Sequence, residues 1–389
     1  MEKTEDLAAL SKKIFRDRET AQKIAKLIQH YWNRLKADGF ENVKIMNFCG
    51  THEWTTAHYG IRSVLPKGVE LIAGPGCPVC VTPSFYVEAA VKLALEGYTV
   101  YTFGDAYKLP AVRKIDGCTS LSDARMNGCD VKVVYSFLDA VADAAGNGRS
   151  SVFLGVGFET TFPGYATSVQ RMGYPKNLTV ISAGRLTPPA ARFAVEKVGS
   201  VSGVVAPGHV STVVGAGAWS FLPRDFGIPA VVAGFEPLDV LMAVALILHM
   251  LALDRPDVVV EYSRAVTWEG NRRAQKAIAE VFEVGKASWR GIGFIEDSGL
   301  FFRETYEWAD ALASYGMKEP DESNWRYDLL PGCRCGHVIL GMAKPTDCRF
   351  FMKECTPLNP YGPCMVSGEG ACAIWARTGG EREDLRDWR

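Results

Sequence analysis

A chain of 389 residues exceeds the length at which one hydrophobic core stops growing, so two or three domains are expected. Hydrophobic residues at 48%, charged residues at 22% and a formal net charge of −1 describe an ordinary globular protein and exclude a basic footprint for nucleic acid or an electrostatic membrane anchor. The charged N-terminus lacks a signal-peptide core, and the most apolar run, 240–253, is too short to span a bilayer. A cytoplasmic protein is expected, and there eleven cysteines point to metal binding or redox chemistry rather than a static disulfide framework.

Residues 1 to about 40 read as helix, with Ile14, Ala21, Ile24, Ile28 and Trp32 at helical spacing. From Val43 onward, short β-prone runs alternate with helical stretches. The runs are 43–48, 69–74, 98–103, 131–136, 151–156, 178–183, 203–206 and 229–233. This alternation predicts a parallel sheet architecture with covered faces, and 240–251 supplies one buried helix. Eight strands in two groups of four suggest two similar α/β domains, 1–148 (with the N-terminal helices) and 149–260, facing a cleft. Residues 261–389 are expected to form a small C-terminal iron–sulfur domain. The charged end, 378–389, is expected to fray.

Each strand runs into a chemically loaded motif, and ligands bind beyond the carboxyl ends of parallel strands. Cys49-Gly50-Thr51-His52-Glu53 sets a thiol, an imidazole and a carboxylate side by side. A following helix N-terminus would stabilise the Cys49 thiolate as nucleophile or soft metal ligand, and Glu53 could orient His52. A buried inert cysteine with a capping Thr reads the same letters equally well. Gly74-Pro75-Gly76-Cys77-Pro78-Val79-Cys80 carries a C-x-x-C pair, able to close a redox disulfide or chelate a metal. Glu159 and Thr160 of GFETT and His209 of PGHVS are weak alone, since Thr and Ser also cap helices, but facing Cys49 and Cys77 across a cleft they would support the site. Cys118 and Cys129 receive no role.

The tail from Cys333 to Cys372 holds six cysteines. Cys333, Cys348, Cys355 and Cys372 are separated by fourteen, six and sixteen residues, and four thiolates are what a [4Fe–4S] cluster requires. Zinc sites favour tight C-x₂₋₄-C pairs, so the spacing favours iron–sulfur over a structural zinc site, with a disulfide framework third. Cys335 and Cys364 could form a redox pair beside the cluster.

Together, CGTHE (49–53), GPGCPVC (74–80), GFETT (157–161), PGHVST (207–212) and the tail pattern C-x₁₄-C-x₆-C-x₁₆-C resemble the HypD family of [NiFe]-hydrogenase maturation scaffolds. The resemblance implies two related α/β domains and a small iron–sulfur domain. It implies that Cys49 holds a transient iron together with the N-terminal cysteine of a HypC-type small chaperone. A HypE-type donor would supply cyanide, carbon monoxide would complete the group, and the iron would pass to the hydrogenase large subunit. It further implies that Cys77 and Cys80 are redox-linked near the same cleft, that Cys333, Cys348, Cys355 and Cys372 ligate the cluster, and that Cys335 and Cys364 are the nearby thiol pair. Two departures mark a divergent member: Gly104-Asp105-Ala106-Tyr107-Lys108-Leu109-Pro110 where the family reads like GDMxRVPGS, and Trp54 where His is common. An assembly scaffold is expected rather than a turnover enzyme. The alternative is an iron–sulfur thiol–disulfide reductase acting through Cys77/Cys80 or Cys335/Cys364.

Overall fold

The computed structural model describes residues 14–323, 325 and 328–380; the expectations for 1–13 and 381–389 lie outside the described residues. All eight strands expected from the sequence form: β1 (Val43–Asn47), β2 (Val69–Ala73), β3 (Thr99–Phe103), β4 (Val131–Val134), β5 (Ser151–Gly157), β6 (Leu178–Arg185), β7 (Gly203–Pro207) and β8 (Ala230–Ala233). Three more follow: β9 (Val258–Val260), β10 (Phe282–Trp289) and β11 (Gly293–Phe302). The inner strands are apolar on both faces because helices cover both sides, which is why they read as continuous runs.

The strands divide into two sheets, but not at residue 148. One sheet has the order β2-β1-β7-β8-β9 and is wholly parallel. The other has the order β10-β11-β6-β5-β3-β4, parallel from β6 to β4 with an antiparallel hairpin β10–β11 on its edge. The chain therefore crosses between sheets three times, after β2, after β6 and after β9. The expected halves, 1–148 and 149–260, each contribute two strands to one sheet and two or more to the other. Local periodicity fixes the strands, whereas partner choice depends on packing between distant residues.

The N-terminal helix Arg18–Ala37 buries Ala21, Ile24, Ile28, Trp32 and Leu35, while Ile14 lies before it and is exposed. It packs on helix Pro237–Ala252, which is apolar nearly all round because sheet and helix enclose it. The tail shares its packing with the second sheet. Cys335, Cys355, Cys364, Met365 and Cys372 belong to the same contiguous core as helix Ser84–Leu95 and strand β5. The hairpin β10–β11, inside the expected 261–389 unit, extends the second sheet through β6. No described helix is long and apolar enough to cross a membrane.

Close approach of sheet and helix is seen at Gly203 on β7, where an added Cβ would stand 2.4 Å from Ile247 Cγ2. Gly203→Ala is expected to lower the unfolding free energy in urea by about 1–3 kcal/mol, as overpacking does. Combining it with Ile247→Ala, which removes the colliding methyl, should cost less than the sum of the two single changes.

Candidate functional site

In each sheet the strand order reverses once. Successive strands run outward from β1 to β2 and, on the other side, from β7 to β8 to β9; in the second sheet the reversal lies between β3 and β5. Loops beyond the carboxyl ends of the two strands at such a reversal part and leave a crevice. The sequence motifs sit at both crevices. CGTHE follows β1 and PGHVS follows β7, while Gly104-Asp105 follows β3 and GFETT follows β5.

At the first crevice, Cys49 is the N-cap of helix Gly50–His58, and His209 stands in the first turn of helix Gly208–Val214. Cys49 Sγ lies 3.8 Å from His209 Nδ1. The expectation that the helix N-terminus would hold a thiolate meets a stronger opposing effect. Burial pushes the Cys49 thiol up to about 12, against the smaller pull of the His52 and Thr51 backbone N–H groups, and the Glu369 carboxylate adds to the upward push. The thiol stands beside an imidazole that burial likewise keeps neutral, pushing His209 down to about 4.

His52 is fully buried and is pushed down to about 4, first by burial and then by neighbouring His209. Its Nε2 donates to the Gly234 carbonyl at 2.8 Å, leaving Nδ1 buried with no hydrogen-bond partner among the described residues. The Phe235 ring packs 5.2 Å from His52 and 5.3 Å from His209. Glu53 does not orient His52. One residue along the helix turns the side chain by about 100°, so Glu53 faces away from His52. It accepts from Arg62 Nη2 at 2.8 Å, Asn47 Nδ2 at 3.2 Å and Trp375 Nε1 at 2.7 Å. Burial opposes its ionisation, but Arg62 and these donors outweigh it and hold the carboxyl below its usual range.

The CPVC motif interlocks with this turn. Gly50 N–H donates to the Gly76 carbonyl at 3.3 Å, and a Cβ on Gly76 would fall 2.4 Å from the Cys49 nitrogen. Cys77 and Cys80 are joined as a disulfide, both buried, across the short helix Pro78–Val81. That helix touches the segment Pro363–Met365, which carries Cys364.

Cys333, Cys335, Cys348, Cys355 and Cys372 line one small cavity with Phe350, Phe351 and Tyr361. Cys335 stands close enough to Cys333, Cys364 and Cys372 for their thiols to interact. Hydrogen bonds from Cys335 and Cys364 push Cys372 down to about 6, while the same contacts push Cys364 up. A Cβ on Gly362 would meet Cys333 Sγ at 2.6 Å and Cys335 Sγ at 2.8 Å, so the glycine keeps the thiol cavity open. Among the described residues no three His, Cys, Asp or Glu side chains close on a single metal ion.

At the second crevice, Glu159 is buried and spends both oxygens on Thr187, accepting from its N–H at 2.6 Å and its hydroxyl at 2.9 Å. These bonds reach neither Cys49 nor His209, and Thr160 is exposed. Asp105 follows β3 at this crevice, in the loop that the sequence reading marked as a departure from the family, and it is exposed. Glu369 packs its backbone against Gly50, beside Cys49. Its only signal in the sequence was its place between Cys364 and Cys372. Arg62 and Trp375 gave none.

The HypD family profile, described as a hydrogenase formation hypA family, matches residues 19–379. This chain belongs to the HypD family. It is 39% identical to a protein named hydrogenase maturation factor HypD2 from Bradyrhizobium diazoefficiens, over 92% of this chain and 94% of that one. It is 40% identical to a putative hydrogenase expression/formation protein of Methanocaldococcus jannaschii, over 87% and 93%. It is 39% identical to hydrogenase maturation factor HypD of Cupriavidus necator, over 92% and 94%.

Burial pushes Glu159 up from 4.5 to about 7. Between those values the unfolded chain releases the proton and the folded chain keeps it, so stability falls as pH rises from 4.5 to 7 and is level above. Relative to Glu159→Gln, the native protein should lose up to about 3 kcal/mol across that window, read as the difference in urea-unfolding free energies. A pH-independent difference would mean that Glu159 ionises normally.

Proposed function

We propose that this HypD-family chain is a hydrogenase maturation factor: a scaffold on which an iron carrying cyanide and carbon monoxide is held and then passed to a hydrogenase large subunit. The names of its relatives support the first part. The observation that carries the second is the Cys49–His209 pair at the strand-order reversal, a soft donor with a proton acceptor 3.8 Å away. Soft thiolate suits iron with strong-field ligands. Cys49 binds iron only after losing the proton that burial keeps on it, and His209 Nδ1 is neutral and placed to take it. His52, held by Gly234, and Phe235 wall the site against water. A single protein thiolate leaves the coordination incomplete, which fits a second thiolate from a HypC-type chaperone and cyanide from a HypE-type donor.

The tail residues fit a [4Fe–4S] cluster. Cys333, Cys348, Cys355 and Cys372 are soft donors lining one largely apolar cavity that Gly362 keeps open, and they would hold it. When bound, the cluster supplies single electrons. The chain's own part is thiol exchange. Two S–H bonds at Cys335 and Cys364 give way to one S–S bond, and the two protons and two electrons released convert the Cys77–Cys80 disulfide into two thiols. The contact of Pro363–Met365 with helix Pro78–Val81 supports this route. The same contact favours the second reading, a thiol–disulfide reductase whose acceptor is an external disulfide.

Infrared spectroscopy of the anaerobic protein, co-purified with its small partner, tests the scaffold. Cyanide and carbonyl stretching bands are expected, and Cys49→Ala should abolish them while leaving the visible absorbance of the tail cluster unchanged. A bandless spectrum from brown, iron-loaded protein that reduces a small disulfide would establish the reductase instead.

A further inference from the structure

Strand β4 forms one edge of the second sheet, with β3 as its neighbour on the inner side and no strand on the outer side among the described residues. Val100 N–H donates to the Asp130 carbonyl at 2.9 Å. Main-chain groups alternate sides along a strand, so Lys132 and Val134 also turn theirs toward β3, in register with Tyr101 and Phe103. Val131 and Val133 turn theirs outward. Val131 N–H is spent locally on the Cys129 carbonyl at 3.0 Å. The Val131 carbonyl, the N–H and carbonyl of Val133 and the N–H of Tyr135 have no main-chain partner among the described residues.

A bare edge is ordinarily blunted by an outward charge, a proline or a covering element. The charged residue of β4, Lys132, instead turns its ammonium to Asp143, 2.6 Å away on helix Phe137–Asn147. Large apolar side chains stand exposed around the edge: Val133 at 39%, Leu138 at 49%, Met126 at 76% and Tyr135 at 100%. A shallow cavity of about 470 Å³ runs along the whole strand, lined by Arg125 from the helix before β4 and by Asp139 from the helix after it.

We propose that this edge docks a second copy of the chain, β4 against β4 and antiparallel, about a two-fold axis at Val133. The free groups complement themselves. Val133 N–H of each chain donates to the Val133 carbonyl of the other, and Tyr135 N–H of each donates to the Val131 carbonyl of the other. In this register Lys132 stands opposite Val134, so no like charges meet across the strands. Antiparallel pairing also sets the start of each strand beside the end of the other, which brings the Arg125 end of one chain to the Asp139 end of its mate. The contact is isologous and consumes both edges, so assembly closes at two chains.

Sedimentation of the full-length protein at low salt, over a concentration series reaching about 100 µM, tests this. The native chain is expected to pass from monomer to dimer. Val133→Lys and Val133→Glu each set like charges face to face on the axis, and each alone should weaken dimerisation about tenfold or more. An equimolar mixture of the two variants should dimerise again, since opposite charges then meet; two misfolded chains would not rescue one another. A native protein that stays monomeric throughout would overturn the proposal. So would a dimer indifferent to both substitutions, which would lie on another surface. Variants that lose the dimer and do not regain it on mixing would overturn the two-fold register at Val133.

Discussion

The site depends on three stretches of backbone packed into contact at Cys49–Gly50. Gly76 lies against the Phe48–Cys49 peptide on one side, and Glu369 occupies the space that a side chain at Gly50 would fill, within 2.5 Å of its Cβ position. No residue with a Cβ fits at either glycine without moving backbone. This contact strips water from the Cys49 sulfur and decides its protonation. A rise from 9.0 to about 12 corresponds to about 4 kcal/mol against the thiolate, whereas a helix N-terminus offers about 2 kcal/mol at most. Dehydration wins, so the helix start positions the sulfur without ionising it.

A second consequence concerns the tail. Glu53 is a buried carboxylate that touches three separate elements: Asn47 at the end of β1, Arg62 just after helix Gly50–His58, and Trp375 on the C-terminal helix Ala371–Thr378. Arg62 also donates to the Leu71 carbonyl of β2, so the ion pair ties the sheet's edge strand to the Cys-bearing tail. Buried pairs of this kind add little net stability, because desolvation consumes the attraction, but breaking one partner is costly. Its physical value here is orientation. Cys372 and Trp375 share a helix, so fixing Trp375 to Glu53 fixes the last tail thiol relative to Cys49.

Much of this was legible in the sequence, and the limits are instructive. Strands β1 to β8 were readable because buried parallel strands are continuous apolar runs bounded by Gly and Pro. Their division between sheets was not, because nothing in VKIMNF says that it pairs with GVVA at 203–206 rather than with YTVYTF at 98–103. The hairpin β10–β11 escaped for another reason. Its residues alternate polar with apolar at the ends and bear an irregularity between Gly285 and Ala287, which blurs the two-residue period. The tail cysteines were legible as a set but not as part of the main core, since burial of Cys364 under helix Pro78–Val81 is a contact across nearly three hundred residues of sequence.

Glu53 and Glu159 show most clearly what a motif can and cannot tell. Glu53 stands six residues and Glu159 two residues beyond a strand end in chemically suggestive company, and both are buried. Glu53 meets Arg62 and stays ionised; Glu159 meets only the N–H and hydroxyl of Thr187 and is pushed toward neutrality. The difference lies in the partner that each fold position supplies, and those partners come nine and twenty-eight residues later. Sequence adjacency placed these motifs at strand ends, but the single cleft expected from it is two: CGTHE and PGHVS stand at the β1/β7 reversal of one sheet and GFETT at the β3/β5 reversal of the other. It assigned Glu53 to the wrong neighbour, because along a helix the next residue points about 100° away. Cys49 and His209, by contrast, come from different strands, and only the adjacency of β1 and β7 in the sheet brings the sulfur and the imidazole together.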